Sequence, residues 1–262
     1  MHTLIVMRTY LKLGMLNVVQ YRANFFFELF GVVTYLATAM LGLAVVFNQT
    51  SSLNGWGPNE LVALVGIQIM IGGLIGFVIR PSMQQLMENV RLGTLDFMLT
   101  KPADSQAMAS MQQINAGSIV EVLIGFVVMV VGMIRMGDAI GIGQALLFAA
   151  MLLAGIVIVY CFLLMLSTCA FWFVKLDNIL VIFGTAFNEA GRWPIGIYPG
   201  WLRVSLTFLV PVAFAVTVPA ESLSGRVSTT TVLLAIALAA GFALVSRWFW
   251  RYGLKHYTGA SA

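Results

Sequence analysis

Long apolar runs alternate along this chain with short polar stretches. The runs have the length of a bilayer crossing, which takes about 20 apolar residues within a range of about 17–25. Six segments fit or nearly fit: residues 29–47, 61–79, 115–134, 145–174, 204–220 and 229–246. Five of them carry no charged residue, and 115–134 carries one, Glu121. The run 145–174 is long enough to tilt or to project beyond the bilayer. Pro211 lies inside 204–220 and predicts a kink there. Ahead of the first run, residues 1–28 mix Arg8, Lys12 and Arg22 with Leu4, Leu11, Met15 and Val18. No small-residue cleavage site follows a short apolar core, so the pattern predicts an amphipathic helix lying on the membrane surface. Residues 178–188 (NILVIFGTAFN) are apolar but too short to span. They are expected to form a cytoplasmic or interfacial helix, with a shallow re-entrant segment as the alternative.

Composition supports lipid as the solvent. Hydrophobic residues make up 60% of the 262 positions and charged residues 9%, whereas a soluble domain carries about 25% charged residues. The placement of the charges gives an orientation. Arg8, Lys12 and Arg22 precede the first run; Arg80, Arg91 and Lys101 follow the second; Lys175, Arg192 and Arg203 follow the fourth; Arg247, Arg251 and Lys255 follow the sixth. Only Arg135 and Arg226 fall in the alternate loops. Basic loops stay in the cytoplasm, so both termini are expected inside a multi-pass protein of a bacterial inner membrane. The net charge of +4 is dispersed between apolar runs, which does not suit nucleic acid.

Several chemistries are missing. No GxxxxGK[ST] loop occurs, so no nucleotide site of that kind is expected on this chain. Leu223-Ser224-Gly225 matches part of an ATPase signature but stands in no nucleotide-binding context. His2 and His256 lie at opposite ends, and Cys161 and Cys169 share one apolar run, so neither a metal site nor a disulfide is expected. Glu121 is the carboxylate placed inside a run, and intramembrane carboxylates are candidates for substrate or proton handling. An ion pair or interfacial hydration is the structural alternative. Gln68 and Asn115 are expected to hydrogen-bond between helices. Gly72 and Gly76 form a GxxxG pair suited to close helix approach. The loop 80–113 is the most distinctive polar segment. Arg80-Pro81 is expected to close the second span. Gly93 then breaks a surface helix, and Thr94 is placed to cap a short helix of Leu95, Asp96, Phe97, Met98 and Leu99. Lys101-Pro102 ends that helix, and Asp104 or Ser105 can cap the helix leading to the third span. Leu95, Phe97, Met98 and Leu99 are expected to face the cytoplasm, either as an interface or buried in the headgroup layer.

These blocks resemble the ABC type-2 exporter permeases, and among them a family of short six-span bacterial permeases of mostly unassigned substrate. The residues carrying the likeness are Tyr21–Phe25; Gly55-Trp56 with Glu60; Gly93-Thr94-Leu95-Asp96-Phe97-Met98-Leu99 with Lys101-Pro102; Tyr198-Pro199, Trp201-Leu202-Arg203 and Pro211-Val212-Ala213-Phe214 with Pro219-Ala220; and the tail Trp250–Leu254 with Tyr257. The resemblance implies an all-α membrane protein: six transmembrane helices, an N-terminal interfacial amphipathic helix and cytoplasmic coupling helices. It implies a permease subunit that is not itself an enzyme and exports an amphiphile: a lipid, an antibiotic, a peptide or a hydrophobic cation. Partners would be two ABC ATPase subunits, which hold the ATP and Mg, and a second related permease or a copy of this chain. Leu95 to Pro102 would form the first coupling helix. Asn188, Glu189, Arg192, Trp193 and Pro194, in a second cytoplasmic loop over 175–203, would make a second contact. A stand-alone secondary transporter or channel using Glu121 is the alternative.

Overall fold

The computed structural model describes residues 22–101, 104–137, 141–173, 178–208 and 210–257, and all regular elements among them are helical. Helix α1 is Arg22–Phe47. Helix α2 is Pro58–Arg91, with a π turn at Ile75–Ile79. Short α3 (Asp96–Leu99) and α4 (Ser105–Ala109) lead to α5 (Ile119–Met136). There follow α6 (Ile142–Thr168), α7 (Ile179–Gly191), α8 (Gly200–Phe208), α9 (Ala213–Leu223) and α10 (Thr229–His256). Among the described residues α1, α2, α5, α6 and α10 are each long and apolar enough to cross a membrane. The chain is an all-α membrane protein. Residues 1–21, which carry most of the expected surface helix, lie outside the described residues; 22–28 are not a separate element but the first turns of α1.

Helix α2 is the axis of the bundle, and its most extensive partner is α5. Glycines set how closely they approach. A Cβ on Gly66 would strike the Met129 backbone and come within 2.8 Å of the Gly125 carbonyl. A Cβ on Gly125 would strike the Met70 backbone, and one on Gly73 would meet the Val122 nitrogen at 2.7 Å. Close approach of the two helices uses Gly66 and Gly73, seven residues apart; of the expected Gly72–Gly76 pair only Gly76 is crowded, a Cβ there lying 2.9 Å from Ser118 Oγ. Those two glycines face Asn188 and Ser118 instead.

Arg80-Pro81 does not end α2, contrary to expectation. A proline inside a helix removes one hydrogen bond and presses on the carbonyl four residues earlier. Both problems are met here. The π turn at Ile75–Ile79 widens the helix just before Pro81. The Phe77 carbonyl, four residues back, accepts instead from the Asn115 N–H at 2.8 Å. The helix then continues to Arg91 with Ser82, Met83, Leu86 and Met87 buried, so this is not a surface helix.

The segment after α6 departs furthest from expectation. Helix α7 passes Arg80 at Gly184, where the guanidinium fills the space a side chain would take. It reaches Gln68, midway along the spanning part of α2, at Asn188 and Gly191. The chain continues until the Ile195 N–H bonds Thr217 Oγ1 at 3.2 Å and Gly196 packs against the Asn54 side chain. Residues 179–197 thus run the length of the bundle. Asn54 shares its end with the Glu60–Arg226 ion pair (2.7 Å) and with Asn59, which donates to the Arg135 carbonyl at 2.8 Å. Helices α8 and α9 are not one span over 204–220. They are bent by 77° around Pro211. Helix α8 starts at the Asn54 end, where Arg203 Nη2 donates to the Gly196 carbonyl at 2.7 Å. The bend lies near mid-bundle, with Val212 packed on Gly191, and α9 returns toward Arg226. The pair forms a hairpin dipping in from one end. The opposite, basic end brings Arg247 of the tail onto Asp104 of the 80–113 loop.

Candidate functional site

Three features converge along the α2 axis. The first is the tip at the basic end. Gly93 has φ 70°, a left-handed turn that glycine adopts without strain. The Asn89 carbonyl then accepts from the Thr94 and Leu95 N–H groups at 2.9 and 3.3 Å. Thr94 does not cap α3; its hydroxyl donates to Asn89 Oδ1 at 3.2 Å. Asn89 Nδ2 donates to Gln112 Oε1 at 2.6 Å, and Gln112 Nε2 reaches the Met98 sulfur at 3.0 Å. This bracing decides which side chains face out. Leu95 and Met98 are buried, a correction to the expected four-residue exposed face. Leu92, Phe97 and Leu99 project, at 59%, 74% and 37% exposure. Lys101 is exposed beside them, and Pro102 lies outside the described residues.

Asp104 does cap a helix, accepting from the Ala107 N–H at 3.0 Å, but the helix is the short α4 and not α5. Its carboxylate also takes the Arg247 guanidinium, with Nη1 to Oδ1 at 2.9 Å. That bond holds its pKa down to about 2. Trp250 Nε1 donates to Ser105 Oγ at 3.2 Å, and its ring is fully buried. Burial first, and then the Asp96 charge, push the Tyr257 hydroxyl upward. The tail helix thus clamps the tip from behind.

The second feature is a polar network in mid-bundle. Tyr35 on α1 donates to Gln68 Oε1 at 2.9 Å and lies 3.1 Å from the Asn188 carbonyl. Gln68 Nε2 donates to Asn188 Oδ1 at 3.3 Å. Arg192 Nε donates to Tyr35 Oη at 2.9 Å, with the guanidinium 4.2 Å from the ring centre. Glu189 pairs with Arg192 at 3.4 Å. Asn188 and Arg192 thus pack against α1 and α2 in mid-bundle, with Glu189 exposed beside them, and Trp193 and Pro194 continue away from the basic end. Gln68 does bond between helices, as expected.

The third feature is a cavity of about 250 Å³ between α1, α2, α5 and α7, on the basic-end side of that network. Glu121 opens into it together with Glu28, Arg80 and Asn115. Asn115 Nδ2 donates to Glu28 Oε1 at 3.1 Å and to Ser118 Oγ at 3.2 Å. No ion pair reaches Glu121 among the described residues. No cluster of potential metal ligands exists among the described residues. Sequence reasoning missed Glu28, Tyr35 and Arg80 as site residues. Glu28 and Arg80 sit at the edges of apolar runs and were legible as charges, but only the packing of α7 shows that they share a chamber.

A family model described as ABC-2 family transporter protein matches residues 33–261. No curated protein and no solved structure matches the chain.

Proposed function

The chain belongs to the ABC-2 family of transporter proteins, and from that membership we propose that it is the transmembrane permease of an ATP-driven exporter, moving an amphiphile across a bacterial inner membrane. The observation that carries the proposal is the braced tip. A rigid mount formed by Leu95, Met98 and Asn89 holds Phe97, Leu92 and Leu99 out as an apolar knob at the end of the longest helix. Exposed apolar side chains on a fixed element are what a helix-in-groove contact uses. The knob is the surface an ABC ATPase grips, with Asp96 and Lys101 at its rim and Pro102 following in sequence. The basic end is cytoplasmic, since Arg91, Lys101, Arg247, Arg251 and Lys255 gather there. Two ATPase subunits supply ATP and Mg, and the permease acts with a second copy or a related chain.

The test is recovery of a P-loop ATPase with tagged chain from native membranes. Phe97→Glu and Asp96→Arg should each cut recovery at least tenfold while the chain stays in the membrane fraction at equal amount. Undiminished recovery with both variants would remove the knob from this role. ATP-independent transport by the chain alone in liposomes would favour the stand-alone reading with Glu121.

A further inference from the structure

We propose that the cavity between α1, α2, α5 and α7 binds the protonated or quaternary amine of an amphiphilic cation, with Glu28 and Glu121 as its counter-ions and the rings of Phe183 and Phe187 as its apolar wall. This names a substrate class for the exporter and rests on that reading for transport, though not for binding.

The first argument is charge. The cavity is lined by two carboxylates, Glu28 and Glu121, and one guanidinium, Arg80. With all three ionised, one negative charge is unmatched. None of them makes an ion pair within the chamber among the described residues. Charges withdrawn from water are costly unless compensated, and this deficit closes either with a proton on one carboxylate or with a single bound cation.

The second argument is an open acceptor. Glu28 Oε1 is engaged by Asn115 at 3.1 Å. Glu28 Oε2 is buried and accepts no hydrogen bond among the described residues. This oxygen is packed against the Gly117 backbone and closed to the chamber, so Oε1, beside the Asn115 amide, is the acceptor that a donor or cation would reach.

Size and shape give the third. Phe183 and Phe187 stack on each other at 5.9 Å between ring centres and close one wall, both nearly fully buried. Gly72 and Gly76 keep the opposite wall free of side chains. A volume of about 250 Å³ falls below the ~300–1,000 Å³ of pockets that enclose whole drug-sized ligands. It suits a headgroup whose tail lies elsewhere. Glu28 is flanked on α1 by Phe27 and Phe30, both widely exposed, so a tail leaving the chamber there enters lipid.

The experiment uses the full chain in a maltoside detergent and measures binding of hexyltrimethylammonium by calorimetry, against hexanesulfonate and hexyl glucoside. Wild-type chain should bind the cation saturably and at least tenfold more tightly than either analogue. Glu28→Gln and Glu121→Gln should each weaken the cation tenfold or more without affecting hexyl glucoside. Arg80→Gln should tighten it, a change that misfolding cannot imitate. Equal binding of the three headgroups, or unchanged cation affinity in both glutamine variants, overturns the proposal. Failure here with ATPase recovery intact leaves the exporter reading standing. Cation binding without any recovered ATPase sinks the exporter reading and leaves this site.

Discussion

At the scale of single residues, what matters most is where side chains are absent. Gly66 brings the backbones of α2 and α5 into contact that a Cβ would break. Gly66→Val should lower stability by about 3 kcal/mol, the upper part of the range for overpacking. Gly42, with nothing within 4 Å of a built Cβ, is the control, and Gly42→Ala should leave thermal unfolding in detergent unchanged or slightly raised. Equal behaviour of the two variants would show that the glycine contact does not hold the pair together. Sequence alone revealed the abundance of glycine in the second run, but not which glycines touch α5. A GxxxG pattern marks a face only when the partner helix is known, and Gly72 and Gly76 turned out to border the chamber.

At the scale of elements, the clamp between the tail and the 80–113 loop makes a pH prediction. Asp104 has a folded-state pKa near 2, held down by Arg247, against an unfolded value of about 3.9. Its contribution is complete above about pH 4 and disappears as pH falls toward 2. The pair is partly exposed, so the contribution is small, within about 1 kcal/mol. Arg247→Met should therefore lose a little stability at pH 7 and show a flatter decline than wild type between pH 5 and 2; parallel declines would rule out this pair as the source. The short helices behind this clamp were partly legible. Gly93 and Asp104 announce a turn and a cap through their own chemistry. The exposure of Phe97 and the burial of Leu95 were not legible, because they depend on Asn89 and Gln112, which lie outside the short helix itself.

At the scale of the whole molecule, the long spans were legible from length and apolarity, and the path of the short run 178–188 was not. Residues 178–188 lack the length of a span, yet with the following stretch through the 3-10 turn Ile195–Ile197 they run the length of the bundle. Residues 204–220 have the length and apolarity of a span, yet Pro211 folds them into a hairpin. Exchanging one crossing for the other leaves the tail and the 80–113 loop at the same end and moves Arg203 to the Asn54 end, a difference too small for charge counting to separate the two topologies. They differ at Gly200. In a Cys161→Ala/Cys169→Ala background, Gly200→Cys should react with an impermeant thiol reagent from the same side as Ser51→Cys and opposite to Lys101→Cys. Labelling together with Lys101→Cys would restore the simple six-run topology. The bond from the Asn115 N–H to the Phe77 carbonyl has a mechanical meaning of its own. A carbonyl left without a partner in lipid costs several kcal/mol, so α2 and the start of α5 cannot slide past each other at that point. With the glycine seam above it, the two helices form one plank with no independent freedom. Under the proposed role of the tip, a thrust delivered at Phe97 would not be dissipated at the proline joint. It would travel the length of the plank and leave the compliance of the molecule to the hydrogen bonds of Tyr35, Asn188 and Arg192, which can be exchanged one at a time.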